Sequence, residues 1–396
     1  MRSSKISLLG VLAVSAALFV IANYCGIGYT YDSNLYVEIA AQISDSGFNA
    51  DGFNIKPPIY PLLIYWFGKD GIFIINLVCL LISVSVLFYF GLDIKTKVLR
   101  FLFWGILVFS TPLYYVHSFA WTEPPFISVL LLAFLALHTY QKNNKSQFLY
   151  ISMVLLFLLP FIRFAGLFIL IPTFLLLFVK ISKNIKWIIG GVVSIGAVII
   201  IMWGLQFEDG FVSRWHTLIG PILRGDSFRY LHNLDSYLEA LSIWLLPIPI
   251  YKPLRLFVAF VVVVIIVIAS INFFKKGKYI VISGIPFIFI VYYFLLQLVF
   301  DVEYYSAERY LTPLYNLLIF SLFMWLDNNF FVISKTFKNA MLVFLFYLLT
   351  YGVARTLKNV VFWNQTRCAE IINAKPTSSS QILKESQVLL LPEQYQ

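Results

Sequence analysis

The chain reads as an all-α polytopic membrane protein with about eleven transmembrane helices, and three observations carry that reading. Hydrophobic residues make up 60% of its 396 residues and charged residues only 12%, against about 45–50% and about 25% in soluble domains. So few charges cannot cover a water-facing surface. Apolar runs close to the roughly 20 residues that cross a hydrocarbon core recur along the whole chain, and the basic clusters between them alternate as the positive-inside rule requires. Other classes fall with this. Cys25, Cys79 and Cys368 are too few and too scattered for a disulfide framework. The 4 histidines form no HExxH. The net charge of +10 is first a topology signal, so no nucleic-acid partner is expected.

Candidate spans are 6–24, 71–92, 98–116, 124–140, 148–161, 164–179, 187–205, 254–274, 279–300, 311–326 and 340–354. The first follows Arg2 and Lys5 like a signal peptide, but no small-x-small cleavage site follows, so it is retained as a span. Residues 148–179 form one apolar run broken by Pro160 and Arg163. As a single helix it would extend about 48 Å, too long for one crossing. Lys142 and Lys145 before it share a side with Lys180, Lys183 and Lys186 after it only if the chain crosses twice. With the N-terminus inside, Lys95, Lys97, Arg100, Lys275, Lys276, Lys278, Lys335 and Lys338 also face inward, with Asp93 and Asp327 as the inner acids. The other carboxylates face outward. The long outer loops are 25–70 and 206–253. Residues 1–354 read as the membrane domain and 355–396 as a short extracytoplasmic tail of amphipathic pieces.

In the first outer loop, Leu35, Ile39 and Ile43 recur at i, i+4 and i+8, an apolar stripe able to lie on the membrane surface. Asp32 or Ser33 suits the N-cap of that helix and Gly47 its C-terminal stop. Lys56-Pro57-Pro58 then stiffens the entry into the second span and presents Lys56 at headgroup height, where it also suits a snorkelling interface lysine. Further ionisable groups at membrane depth are functional candidates by default. These are Glu123 in Thr122-Glu123-Pro124-Pro125, Arg163 in Arg163-Phe164-Ala165-Gly166, and Arg309 in Glu308-Arg309-Tyr310-Leu311-Thr312-Pro313. Pairing among them as structural glue is an equally open role.

The order of these motifs resembles the GT-C glycosyltransferases, with the protein O-mannosyltransferases and lipid A aminoarabinose transferases the closest pattern. The resemblance runs from residue 1 to about 330. It implies a GT-C-type fold with amphipathic outer-loop helices. Asp32 is then the catalytic carboxylate, Glu123 a second acidic residue and Lys56 the donor-phosphate ligand; Arg163 or Arg309 would join Lys56 in holding the departing phosphate. Tyr36, Tyr60, His117 and Tyr310 are the candidates for a substrate pocket. It also implies inversion at the anomeric carbon.

A sugar on a polyprenyl phosphate has a good leaving group, because a phosphate monoester has its second pKa at about 6. One carboxylate therefore suffices, unlike the pair that glycosidases use. Oligosaccharyltransferases of the same superfamily use a metal with a paired acidic motif. Here Pro124 and Pro125 follow Glu123 where a second acid would stand, so no catalytic metal or other cofactor is expected. The expected partners are a polyprenyl-phosphate sugar donor, membrane lipids, and a lipid, glycan or protein acceptor. The modest length and lysine-rich inner loops favour a bacterial inner (plasma) membrane over the endoplasmic reticulum. Two alternatives stay open. One is an O-antigen-type polymerase or ligase using Arg214, His216, Arg224, Arg229 and His232 of the loop 206–253. The other is a transporter or flippase of a lipid-linked sugar, although neither internal repeats nor paired broken helices appear.

Overall fold

Backbone in hydrocarbon finds no water to bond, so a chain of this composition must satisfy its amides within helices or a closed barrel. The structure, a computed structural model, describes residues 2–46, 56–180, 227–276, 280–299 and 304–373. Among them every regular element is helical, and the only β contact is an isolated bridge between Gly28 and Phe119. In order the helices are α1 (Arg2–Ala22), α2 (Tyr31–Ser46), α3 (Ile59–Gly91), α4 (Lys97–Val108), α5 (Thr111–His117), α6 (Glu123–Asn143), α7 (Ser146–Ile162), α8 (Gly166–Lys180), α9 (Ser227–Leu245), α10 (Lys252–Lys276), α11 (Ile280–Val299), α12 (Tyr304–Asn329) and α13 (Lys335–Asn373).

Four helices among the described residues are long and apolar enough to cross a membrane: Ile59–Gly91, Lys97–His117 (α4 and α5 together), Glu123–Asn143 and Lys335–Ala369. Shorter apolar helices lie in α1, α7 and α11. The chain is thus an all-α protein with membrane-spanning helices. The expected span 187–205 and the stop at Gly47 lie outside the described residues. The run 148–179 is divided into two helices. Helix α7 ends at Ile162, Arg163 takes extended backbone (φ −156°, ψ 131°), and α8 begins at Gly166.

The core gathers around α3, α6 and α12. Helix α6 packs on α3 and α7, α8 on α11, α9 on α10 and α12, and α13 on α1 and α4. Polar side chains sit at the two ends of this core. Glu123 opens α6 and Arg309 lies in the second turn of α12, while Asp93, His138, Lys142 and Asp327 lie at or just beyond the far ends of α3, α6 and α12. There His138 bonds Asp93 at 2.5 Å and Lys142 pairs with it. Asp327 accepts the backbone N–H groups of Lys95 (2.9 Å) and Thr96 (2.8 Å) at the start of α4. Arg309 and Asp327 stand eighteen residues apart on α12, about 27 Å of helix rise, close to the thickness of a hydrocarbon core.

Three sequence-based expectations are corrected. Cys25 and Cys368 are joined in a disulfide across 343 residues, leaving Cys79 free and buried. Cysteine count and spacing cannot show two chain ends meeting at one face. Over its described part, 355–373, the tail is not broken into amphipathic pieces, because α13 runs on to Asn373 and its polar residues Thr356 and Arg367 are buried with partners. The α2 stripe does not lie free on the membrane surface: Ile39 and Ile43 are buried with Leu35 against Leu62. Its adjacent face sets Tyr36 and Ala40 against Tyr60, Ile64, Ile72 and Ala120.

Candidate functional site

Helix α2 is fixed at its start by side-chain hydroxyls. The Thr30 amide donates to Ser33 Oγ at 3.0 Å, and the Asn34 amide closes the first helical bond on Thr30 O. This is the reciprocal half of a capping box, with Thr30 at the cap. Asp32 therefore does not cap the helix. It lies within the first turn, where an acidic residue suits the positive end of the helix dipole. Its carboxylate is free to turn elsewhere.

It turns to two cations. Lys56 Nζ donates to Asp32 Oδ1 at 2.8 Å, and Arg309 Nη1 donates to Asp32 Oδ2 at 2.9 Å. The lysine stands just ahead of Pro57-Pro58 and the start of α3, and it lies 5.5 Å from the Tyr36 ring centre. Nine residues further, Gly68 (φ 72°) interrupts α3 in the left-handed region that glycine tolerates best. The piece Ile59–Phe67 can thereby fold over α2, and its Tyr60 meets Tyr36 edge-to-face at 5.2 Å.

Arg309 is shared. Its Nε and Nη2 grip Glu123 as a fork, Nη2 at 3.2 Å from Oε2, while Nη1 holds Asp32. Arg163, at the break between α7 and α8, pairs with the other side of Glu123. Glu123 is the first residue of α6, with Pro124 and Pro125 in the turn where no amide is needed. Aromatic faces hold the guanidinium planes: Trp121 lies 4.2 Å from Arg309, and Tyr310 lies 4.7 Å from Arg163. Asp32, Lys56, Glu123, Arg163 and Arg309, distant in sequence, thus form one cluster.

The cluster is graded in depth. The Glu123 side chain is 0% exposed, that of Lys56 17% and that of Asp32 33%. Solvent or a ligand therefore meets Asp32 and Lys56 first. Three cations face two carboxylates, an excess of one positive charge. Burial alone would push the Asp32 carboxyl up, but the charges of Arg309 and Lys56 outweigh it and hold the group well below the usual carboxylate range. Burial, with the Asp32 charge adding to it, raises the Tyr36 phenol, which stays neutral.

Compared with family models, curated proteins and solved structures, the chain shows no significant match to any.

The remaining candidates take supporting places. Tyr36 and Tyr60 are buried walls beside Asp32 and Lys56. His117 is fully buried and its Nδ1–H donates to Leu113 O at 2.7 Å within its own helix, so it offers no surface to a substrate. Tyr310 packs on Arg163 and accepts the Tyr292 hydroxyl at its carbonyl. Glu308 turns away from Asp32 and accepts from Trp244 Nε1 (2.8 Å) and Arg355 Nη2 (2.8 Å). Those two residues border an apolar cavity of about 100 Å³ lined also by Leu241, Val262, Leu318 and Leu348. Arg214, His216 and Arg224 lie outside the described residues, and α9 carries Arg229 and His232. Among the described residues no three His, Cys, Asp or Glu side chains gather as a metal site.

Sequence reasoning missed Trp121, whose ring holds Arg309 and whose Nε1 donates to Thr30 Oγ1 at 2.9 Å. It also missed Arg367 and the Cys25–Cys368 pair. The available signal was two cysteines expected on the same outer face.

Proposed function

We propose that the chain is a GT-C-type membrane glycosyltransferase that moves a sugar from a polyprenyl phosphate to an acceptor hydroxyl at the outer face of the membrane. The observation that carries this reading is the Asp32 carboxylate, partly exposed and shared between Lys56 and Arg309 in a cluster with an excess of positive charge. Such a site offers a proton acceptor and an anion-binding edge within one hydrogen-bond length of each other.

The acceptor oxygen attacks the anomeric carbon while the bond from that carbon to the phosphate oxygen breaks, with inversion. The hydroxyl proton goes to Asp32, and the bonding pair leaves with polyprenyl phosphate. Lys56 and Arg309 stabilise the second negative charge that grows on the leaving phosphate. Glu123 acts by holding Arg309 and Arg163, so it positions the cations and does not take the proton. The same geometry explains how a strongly paired carboxylate serves as a base. Donor phosphate entering against Lys56 and Arg309 draws their charge away from Asp32 and adds a negative charge beside it, which raises its basicity. No metal step is needed.

Two observations support this orientation. The Cys25–Cys368 disulfide lies on the Asp32 side of the bundle, and disulfides persist in oxidising, extracytoplasmic space. The lysine-rich connections near Asp93 and Asp327 occupy the opposite end. An eleven-span topology in a bacterial plasma membrane accommodates both.

The test supplies purified protein in lipid nanodiscs with a panel of polyprenyl-monophosphate sugars and candidate acceptors, with products read by mass spectrometry. The expected result is a glycosylated acceptor together with free polyprenyl phosphate. Consumption of polyprenyl-diphosphate donors alone would overturn the reading in favour of a polymerase or ligase.

A further inference from the structure

The outer end of α13 is built into the segment that carries Asp32. Arg367 is buried, and its Nη1 donates to Ala22 O (3.1 Å), Asn23 Oδ1 (2.5 Å) and Gly26 O (3.2 Å), while Nη2 donates to Ser118 O (2.7 Å). Its guanidinium lies 5.1 Å from the Phe119 ring centre. One turn earlier, Asn364 Oδ1 accepts the Cys25 amide at 3.3 Å, and the next residue, Cys368, is bonded to Cys25. One short stretch of α13 therefore grips two separate pieces of chain, 22–26 and 118–119.

Those two pieces are the ones that set the site. Gly28 donates its amide to Ser118 O (3.0 Å) and accepts from the Ala120 amide (2.9 Å). A Cβ on Gly28 would stand 2.7 Å from the Phe119 ring, so only glycine allows this approach. Phe119 stacks on Trp121 (4.4 Å, 13° between planes), Trp121 donates to Thr30 at the α2 cap, and Arg309 lies on its ring. Two residues past Thr30 stands Asp32. Bulk packing of a terminal helix does not require a buried guanidinium bonding four neutral oxygens on two loops, nor a covalent tie to one of them.

Resting on the transferase reading, we propose that Arg367 and the Cys25–Cys368 bridge form a positioning clamp that fixes Asp32 and Arg309 relative to each other. Arg367 is a positioning residue and touches no substrate. Its planar fork reaches both loops at once, which a lysine cannot do. Misplacing a reacting group by about 1 Å costs on the order of a hundred-fold in rate. Loosening the clamp should therefore act on turnover more than on donor affinity.

The experiment uses full-length protein in nanodiscs, as Arg367→Gln, as Arg367→Lys, and as the unsubstituted protein with its disulfide reduced while folded. Two readouts are taken: hydrogen exchange of peptides covering residues 27–40, and steady-state transfer from a polyprenyl-phosphate sugar. The expected result is faster exchange at 27–40 in all three. With it, kcat per folded molecule should fall about ten- to a hundred-fold while the donor KM stays within about two-fold. A lower melting temperature with unchanged exchange at 27–40 and unchanged kcat would mean simple structural glue and overturns the clamp, leaving the transferase reading intact. If the unsubstituted protein transfers no sugar, that reading falls; the exchange data still decide the clamp, and unchanged exchange overturns it. Reduction of the folded protein keeps the test open should either Arg367 variant fail to fold.

Discussion

Replacing Glu123 with glutamine separates structural from catalytic charge. The Glu123 side chain is 0% exposed and holds two guanidiniums, a fork from Arg309 and an ion pair from Arg163. Neutralising it raises the charge excess of the five-residue cluster from one to two and leaves Arg163 without that partner. Removing one member of a buried ion pair costs about 3–5 kcal/mol. Arg309 keeps Asp32, and the new amide oxygen can still accept from one guanidinium, so the lower end, about 3 kcal/mol, is expected. At about 2 °C per kcal/mol for a large chain, the melting midpoint in detergent should fall by about 6 °C or more. A double-mutant cycle sharpens this. Glu123→Gln with Arg163→Met should cost less than the two single changes added together, by at least about 1 kcal/mol, because the second change removes the orphaned charge. Melting curves read from tryptophan fluorescence supply all four corners. A Glu123→Gln protein that melts within about 1 °C of the parent, or strict additivity in the cycle, would refute the buried double pair.

Lys56→Ala should raise the donor KM with a smaller change in kcat, since a phosphate contact made in both ground and transition states contributes uniformly; initial rates over a donor series read this. Because Lys56 and Arg309 hold free Asp32 well below the usual carboxylate range, kcat/KM should keep its acid limb below about pH 4, whereas bound donor phosphate shifts the limb of kcat to higher pH; coincident limbs in a pH series would refute donor-coupled activation. Gly68→Ala places a side chain at φ 72° and should cost about 1–2 kcal/mol, while Gly10→Ala, mid-helix with nothing within 4 Å, should be neutral or slightly stabilising in the same melting assay. A membrane-impermeant maleimide should label Tyr31→Cys in intact cells and Val332→Cys only after permeabilisation, both positions being exposed and at opposite ends of the bundle.

The helical, membrane-spanning character was legible because long apolar runs are a strong signal in a chain with 12% charged residues. The division at Arg163 is an example, since 148–179 is too long an apolar run for one helix to cross and Arg163 interrupts it. The residues of the charged cluster were legible as single positions, because ionisable groups at membrane depth stand out against an apolar background. Their pairing was not. Arg309 and Asp32 are 277 residues apart, and nothing local to either says that one guanidinium will bridge both carboxylates. Asp32 as an N-cap failed for a local reason: Ser33 was the better partner for the Thr30 amide, which moved the cap back by two residues. The continuity of α13 was hidden because polar side chains such as Thr356 and Arg367 interrupt its apolar run, while burial with partners satisfies them.

The most direct measurement is the turnover of Asp32→Asn. Asparagine keeps the size of the side chain, and Thr30 and Ser33 make the cap without it, so the variant should insert and fold. The group is one-third exposed, and one of its two charge-assisted bonds is lost, a penalty of about 1–3 kcal/mol in stability. Without a proton acceptor at that position, kcat for transfer from the polyprenyl-phosphate donor should fall by about 10²–10⁴, with the protein still monodisperse and still binding the donor. Near-parental kcat in well-folded Asp32→Asn would contradict the assignment of Asp32 as the base and, with it, the chemistry proposed for this site.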